Sequence, residues 1–154
     1  MVNLTKSTKP TTEDDIKRDW HLIDLKGKVL GRSIAEIVRL LTGKNKTNYV
    51  PYLDMGDYIV VINARKLIVT GKKSKTVTYS RYSGYPGGLK TISFEQQMVK
   101  DPAKIVIHAV AGMLPKNKLR KKRLTRLYVF ADEKHTYKEK FEVRNTKSQM
   151  NSKP

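Results

Sequence analysis

The sequence predicts an α/β sandwich built on a parallel core sheet, and three observations predict it. Apolar runs of strand length alternate with segments of helical period, the order that brings parallel strands together through helical crossovers. One run, Tyr58 to Asn63, is apolar almost throughout, as a strand buried on both faces is. Ile34, Ile37, Val38 and Leu41 recur at i, i+3, i+4 and i+7 and draw one apolar stripe along a helix.

Taken in order, Trp20 to Leu25 is the first strand, a short run carrying Trp20, Leu22, Ile23 and Leu25. Gly27 and Lys28 turn the chain into a helix over Gly31 to Thr42, with Gly43 where a helix C-cap glycine belongs. Lys44 to Asp57, with Pro51 and Gly56, reads as a connection too polar to enter the core. After Tyr58 to Asn63, Leu67 to Thr70 and Thr76 to Tyr82 read as two further strands, able to form a hairpin across Gly71 to Lys75. Ser83 to Lys90 is glycine-rich and irregular. Ser93 is an N-cap candidate, and Gln96 completes the weaker form of a capping box. Asp101-Pro102 opens another helix, with Pro102 suited to its first position. Ile105, His108, Ala109 and Gly112 share one face of it and Val106, Val110 and Met113 another, which predicts burial on more than one side. Leu114-Pro115 ends that helix, Asn117 to Thr125 is a short basic one, and Leu127 to Phe130 is a last strand.

The chain has 154 residues, of which 38% are hydrophobic, enough for one domain with a modest core. The expected organisation is a flexible N-terminal tail over 1–15, a single domain over 16–135 and a charged, fraying C-terminal tail over 136–154. There is no cysteine, so disulfides and thiolate metal sites are excluded. No apolar run is long enough to span a bilayer. The segment before Asp15 has no hydrophobic centre of a secretory signal, and Glu13, Asp14 and Asp15 argue against a transit peptide.

The net charge is +18, and its distribution says more than its size. Tyr58 to Phe94 contains no acidic residue, and neither does Pro102 to Ala131. A surface that needs only solubility mixes its charges; one sign sustained over such lengths makes a field suited to a polyanion. The strongest local cluster runs from Lys116 to Arg126, where Lys118, Lys121 and Lys122 fall on one side of a helix. The second is Tyr79 to Lys90, whose tyrosines offer π-faces to unstacked bases and whose Arg81 offers charge and a planar stack. Gly84, Gly87 and Gly88 would let backbone approach a partner closely. The plain structural reading of the same loop is a hairpin tip with aromatic staples. Lys44-Asn45-Lys46, just past a helix end, suits both phosphate contact and the helix dipole. The tyrosine-glycine loop favours RNA over DNA.

Enzyme readings find no support. Gly27 to Ser33 has three residues between its glycines where a phosphate-binding loop has four, and Arg32 where that loop has lysine. His21, His108 and His135 stand far apart, in no metal-ligand spacing. His108 reads as a core histidine or an RNA contact, and Asp54 to Asp57 as a turn. No nucleophile, base and orienter occur together.

One family carries many of these residues in order. Trp20, Asp24, Gly27, Leu30-Gly31-Arg32, Gly43-Lys44-x-Lys46, Tyr49-x-Pro51, Asp54-x-Gly56-Asp57-Tyr58, Asn63-Ala64-x-Lys66, Thr70-Gly71-Lys72, Tyr79, Pro86-Gly87-Gly88-Leu89-Lys90 and Gly112-Met113-Leu114-Pro115-Lys116 resemble ribosomal protein L13 of the large subunit, over about Lys17 to His135. The length is similar to its bacterial or organellar branch. The chain departs from the family at Ala111, Tyr82 and Leu119-Arg120-Lys121.

The resemblance implies a three-layer α/β/α sandwich around a small, mostly parallel four-stranded sheet. It implies a structural constituent of the large ribosomal subunit that binds 23S-type ribosomal RNA, stabilises its fold early in subunit assembly and touches neighbouring ribosomal proteins. It implies no catalytic role, no cofactor, no small-molecule substrate and no membrane, and a place in cytoplasmic ribosomes of a bacterium, or in those of an organelle. A free-standing RNA-binding regulator of messenger RNA is the alternative. Together, charge and resemblance mark Lys44, Lys46, Lys72, Lys73, Lys75, Arg81, Tyr82, Tyr85, Gly87, Gly88, Lys90, Lys116, Lys118, Arg120, Lys121, Lys122 and Arg123 as candidate RNA-binding residues.

Overall fold

Tyr58–Ile62 (β2) is the middle of a three-stranded parallel sheet, and its sequence explains why. Ile59, Val60 and Val61 are all fully buried, so both faces of the strand are covered. Trp20–Asp24 (β1) lies on one side and Leu127–Val129 (β5) on the other, giving the order β1-β2-β5. The computed structural model describes residues 10–141, and the outer parts of the two expected tails, 1–9 and 142–154, lie outside the described residues. No helix among those residues is long and apolar enough to cross a membrane.

The register sorts the sheet into two faces. Ile23, Ile59, Val61 and Leu127 point to a core shared with helix α1 (Leu30–Thr42) and helix α4 (Pro102–Met113). Ile34, Ile37 and Leu41 of the predicted stripe are buried there, and Gly43 caps α1 in the left-handed region at φ 80°. α4 buries Pro102, Ile105, Val106 and Val110, which is a single face; Met113 and Ile107 are exposed, so the expected burial on several sides is not found. Between them, Phe94–Lys100 (α3) begins with a complete capping box. Ser93 Oγ accepts from the Gln96 N–H, and Gln96 Oε1 accepts from the Ser93 N–H.

The opposite face carries Trp20, Tyr58 and Tyr128. Trp20 stacks on Tyr58 at 4.6 Å between ring centroids, and Tyr137 closes over both Trp20 (5.3 Å) and Tyr128 (4.5 Å). Phe141 meets Trp20 edge-on. Residues 136–141, expected to fray, therefore pack on the sheet through their aromatic side chains.

The fold is a mixed α/β one with a small parallel sheet; among the described residues that sheet has three strands, not the four that the resemblance implies. Leu67 to Thr70 contributes one parallel bridge, Val29 to Ile68. The cause lies just upstream: Asn63 sits in the left-handed region at φ 59° and Ala64–Lys66 coils into a 3-10 turn, so the chain leaves the direction of β2 before a strand can extend. The hairpin across Gly71 to Lys75 is likewise absent. Lys73–Thr76 (α2) is a helical turn, with Thr76 Oγ1 donating to Lys72 O, and the next strand pairs forward instead. That strand, Thr78–Tyr82 (β3), forms an antiparallel ribbon with Leu89–Ser93 (β4), a strand not read in the sequence.

The connection Lys44 to Asp57 also departs from expectation. Its last part is core: Met55 and Asp57 are buried, and Gly56 lies so close to α1 that a Cβ there would stand 1.9 Å from Leu41 O.

Candidate nucleic-acid interface

The ribbon β3–β4 presents the Tyr79 to Lys90 motif. Its loop closes on itself, with Ser83 N–H donating to Gly88 O at 3.2 Å and Gly88 N–H to Tyr85 O at 2.9 Å. A Cβ on Gly88 would stand 2.9 Å from the backbone oxygen of Tyr85, and Gly87 holds φ 72°. These two glycines thus serve the turn itself, whatever partner approaches it. A hairpin tip it is, but without aromatic staples: Tyr82 is 62% and Tyr85 76% exposed. Arg81 and Lys90 are exposed and directly opposite each other in the ribbon. Like charges so placed repel, a cost that a bound anion removes.

The basic run after α4 divides by residue type. Lys116, Lys118, Lys121 and Lys122 are exposed around helix α5 (Leu119–Leu124). The arginines of the same run turn inward. The Arg120 guanidinium donates to Ala111 O and ties α5 to α4. Arg123 is 2% exposed, with Nε 3.6 Å from Asp54 Oδ1. Arg126 is 7% exposed and grips both oxygens of Asp54, at 2.6 and 2.5 Å. The division follows from the side chains: a planar guanidinium forks onto a carboxylate with little hydration to lose, whereas an ammonium is a strongly hydrated point charge that stays in water. Arg123, grouped by its neighbours with the surface cations, faces the interior. The sequence reads Asp54 as part of a turn and Arg126 as the end of the basic run; their pairing is hidden because the partners are 72 residues apart.

The remaining basic positions also separate. Lys44 is exposed, as are Lys72, Lys73 and Lys75 around α2. Lys46 is largely covered: its ammonium lies 2.6 Å from Asp57 Oδ1 and also donates to Lys17 O. Asp57 further accepts from the Asp19 N–H at 3.1 Å and meets His21 Nε2 at 3.2 Å. Burial pushes the Asp57 carboxyl up, but its hydrogen bonds with His21, Lys46 and the Asp19 N–H outweigh this and hold it below the ordinary carboxylate range.

A carboxyl lowered by folding stabilises the fold fully above its unfolded pKa of about 3.9, and that contribution is lost as the pH falls through the folded value. The Asp57→Asn variant is expected to be less stable at neutral pH and to lose less stability than the parent below about pH 4. Melting temperature followed against pH checks this; parallel curves for the two proteins would contradict it.

Around these elements, the ribbon, α2 and α5 each carry exposed cations on a frame held by inward-facing ion pairs. Among the described residues no group of three or more histidine or acidic side chains is placed to hold a metal ion. Comparison with known proteins gives a consistent result. A family model described as Ribosomal protein L13 matches residues 18–136. The chain is 49% identical over 123 residues to the large ribosomal subunit protein uL13 of Clostridioides difficile (strain 630), covering 80% of this chain and 86% of the relative. It is 46% identical over 137 residues to the protein of that name from Thermosynechococcus vestitus, covering 89% and 90%. It is 48% identical over 124 residues to that of Legionella pneumophila (strain Corby), covering 80% and 86%.

Proposed function

Because the chain belongs to the ribosomal protein L13 family, we infer that it is a structural constituent of the large ribosomal subunit, not an enzyme, and that it works by binding ribosomal RNA. The family match over residues 18–136 carries this reading, in preference to a free-standing regulator of messenger RNA. The mechanism is electrostatic and geometric. Exposed lysines of α5 and α2, with Lys44 and the Arg81–Lys90 pair, neutralise phosphates of 23S-type RNA and release the counterions condensed on them. Tyr82 and Tyr85 offer stacking faces at the ribbon tip. Arg120, Arg123, Arg126 and Lys46 support these surfaces from within, as braces of the frame.

A rigid frame with cations on several sides pins separate RNA segments in one arrangement, a role suited to early subunit assembly beside neighbouring ribosomal proteins. The relatives compared above are bacterial, which favours cytoplasmic ribosomes of a bacterium.

Reversing the charge of Lys121 and Lys122 to glutamate is expected to weaken RNA binding whatever the sequence. The slope of log affinity against log salt becomes shallower by roughly 1.5, the sum for two lost phosphate contacts. Affinity measured on large-subunit RNA over a salt series reads this directly. An unchanged slope would remove α5 from the interface.

A further inference from the structure

The ribbon and the helices behind it enclose a groove of about 610 Å³. Its two walls are set by regular periodicity. On the ribbon, Tyr79 and Arg81 of β3 share a face with their cross-strand partners Ile92 and Lys90. On α4, Lys104, Ile107, His108 and Ala111 fall at i, i+3, i+4 and i+7, a stripe separate from the one that α4 buries in the core. Tyr79 and His108 meet edge to face across the groove, with ring centroids 5.2 Å apart. Arg81 and Lys90 rim the ribbon side, and Lys100 and Lys104 rim the helix side, all four exposed. Among the described residues no acidic side chain lines the groove, although Asp101 reaches Lys104 at 3.3 Å from beyond its edge. Ala111 leaves the groove open where a larger side chain would fill it.

We propose that this groove holds one unpaired nucleotide of the bound RNA, its base against Tyr79 and His108 and its flanking phosphates on the cations of the two rims. The chemistry of the groove's lining selects this occupant. Base recognition in single strands uses aromatic and guanidinium faces with cations tracking the backbone, and a pocket of a few hundred Å³ with an apolar floor and polar rim suits one inserted group. Regular double-stranded RNA does not fit, because its bases are stacked within the helix. The proposal rests on the RNA-binding function above and adds the element bound: an extruded nucleotide, held apart from the phosphate contacts of α5.

The test uses the full-length protein with a transcript of large-subunit RNA. One form carries a photo-reactive benzophenone amino acid in place of Lys100, at the exposed rim, where it leaves the groove open; cross-links are mapped by reverse-transcription stops. The expected result is a cross-link confined to one unpaired nucleotide and abolished by adding the Ala111→Leu substitution. His108→Ala is expected to weaken binding about tenfold, the size of one base-stacking contact, with the salt slope unchanged, and Ala111→Leu to weaken it at least as much, with a shallower slope because the expelled nucleotide takes its phosphates off the rims. Far-ultraviolet circular dichroism and melting temperature establish that the variants are folded. Three results overturn the proposal while leaving RNA binding standing: full binding with no cross-link at this position, a cross-link into paired RNA, or, in assembled subunits, a cross-link only to a neighbouring protein. Failure of the unsubstituted protein to bind the transcript at all overturns the RNA-binding function and the groove with it.

Discussion

Replacing Asp54 by alanine is expected to destabilise the protein by about 3–5 kcal/mol, the usual cost of removing one partner from a buried ion pair. The carboxylate is shared: Arg126 binds both of its oxygens, and the nearly inaccessible Arg123 sits 3.6 Å from one of them. Without Asp54, two covered guanidinium groups lose their counter-charge in a chain whose net charge is already +18. The contact between the connection before β2 and the segment from α5 into β5 would then be weakened. A thermal melt of the free protein checks the prediction. A fall in Tm of roughly 10 °C or more is expected. A change within about 3 °C would show that water reaches these arginines readily and that the brace contributes little.

The second large effect concerns Gly56. A Cβ at this position would stand 1.9 Å from the backbone oxygen and 2.7 Å from the carbonyl carbon of Leu41, and 3.0 Å from an Arg126 guanidinium nitrogen. Backbone cannot rotate aside as a side chain can. Gly43 makes the reciprocal approach, with its own hypothetical Cβ 2.7 Å from Met55 O, so two backbones touch at two glycines. Gly56→Ala must drive the end of α1 off its seat and disturb the Asp54 brace in the same movement. The expected cost is about 3 kcal/mol or more, at or beyond the upper range for overpacking. Gly112→Ala is the informative control: it lies within α4 with open space around it and is expected to be neutral or slightly stabilising. Urea unfolding of both variants reads the contrast, and equal midpoints would contradict the close-approach account.

These two effects mark the boundary of what the sequence makes legible. α1 and β2 are readable because each is specified locally, by a stripe of period 3.6 and by an unbroken apolar run. β4 is hidden because Leu89 to Ser93 is largely exposed and pairs only with β3, so no burial pattern marks it. Leu67 to Thr70 misleads in the opposite sense. Its β-branched residues fit a strand, but the left-handed Asn63 and the 3-10 turn beyond it redirect the chain.

The candidate interface divides in the same manner. Surface lysines announce themselves as a run without acid, and the ribbon tyrosines by their place within a basic, glycine-rich stretch. Arg123 and Arg126 cannot be sorted from the lysines of the basic run by counting, because their partner Asp54 lies in a distant connection that reads as a turn. Residue chemistry does offer a cue. Lysine holds its hydration and arginine forks onto carboxylate, so the arginines of a mixed run are the ones to suspect of facing inward. The groove behind the ribbon is likewise invisible in sequence, since it needs β4 and α4 to be placed against each other.

The most direct test of the central claim, membership of the large ribosomal subunit through RNA contact, is sedimentation. A native lysate is run through a sucrose gradient in moderate and then high salt, with the protein detected in every fraction. The account predicts that it travels with the large subunit and stays there through the high-salt wash, because contacts on several sides of a rigid frame dissociate together or not at all. Recovery at the top of the gradient in both salts would contradict it.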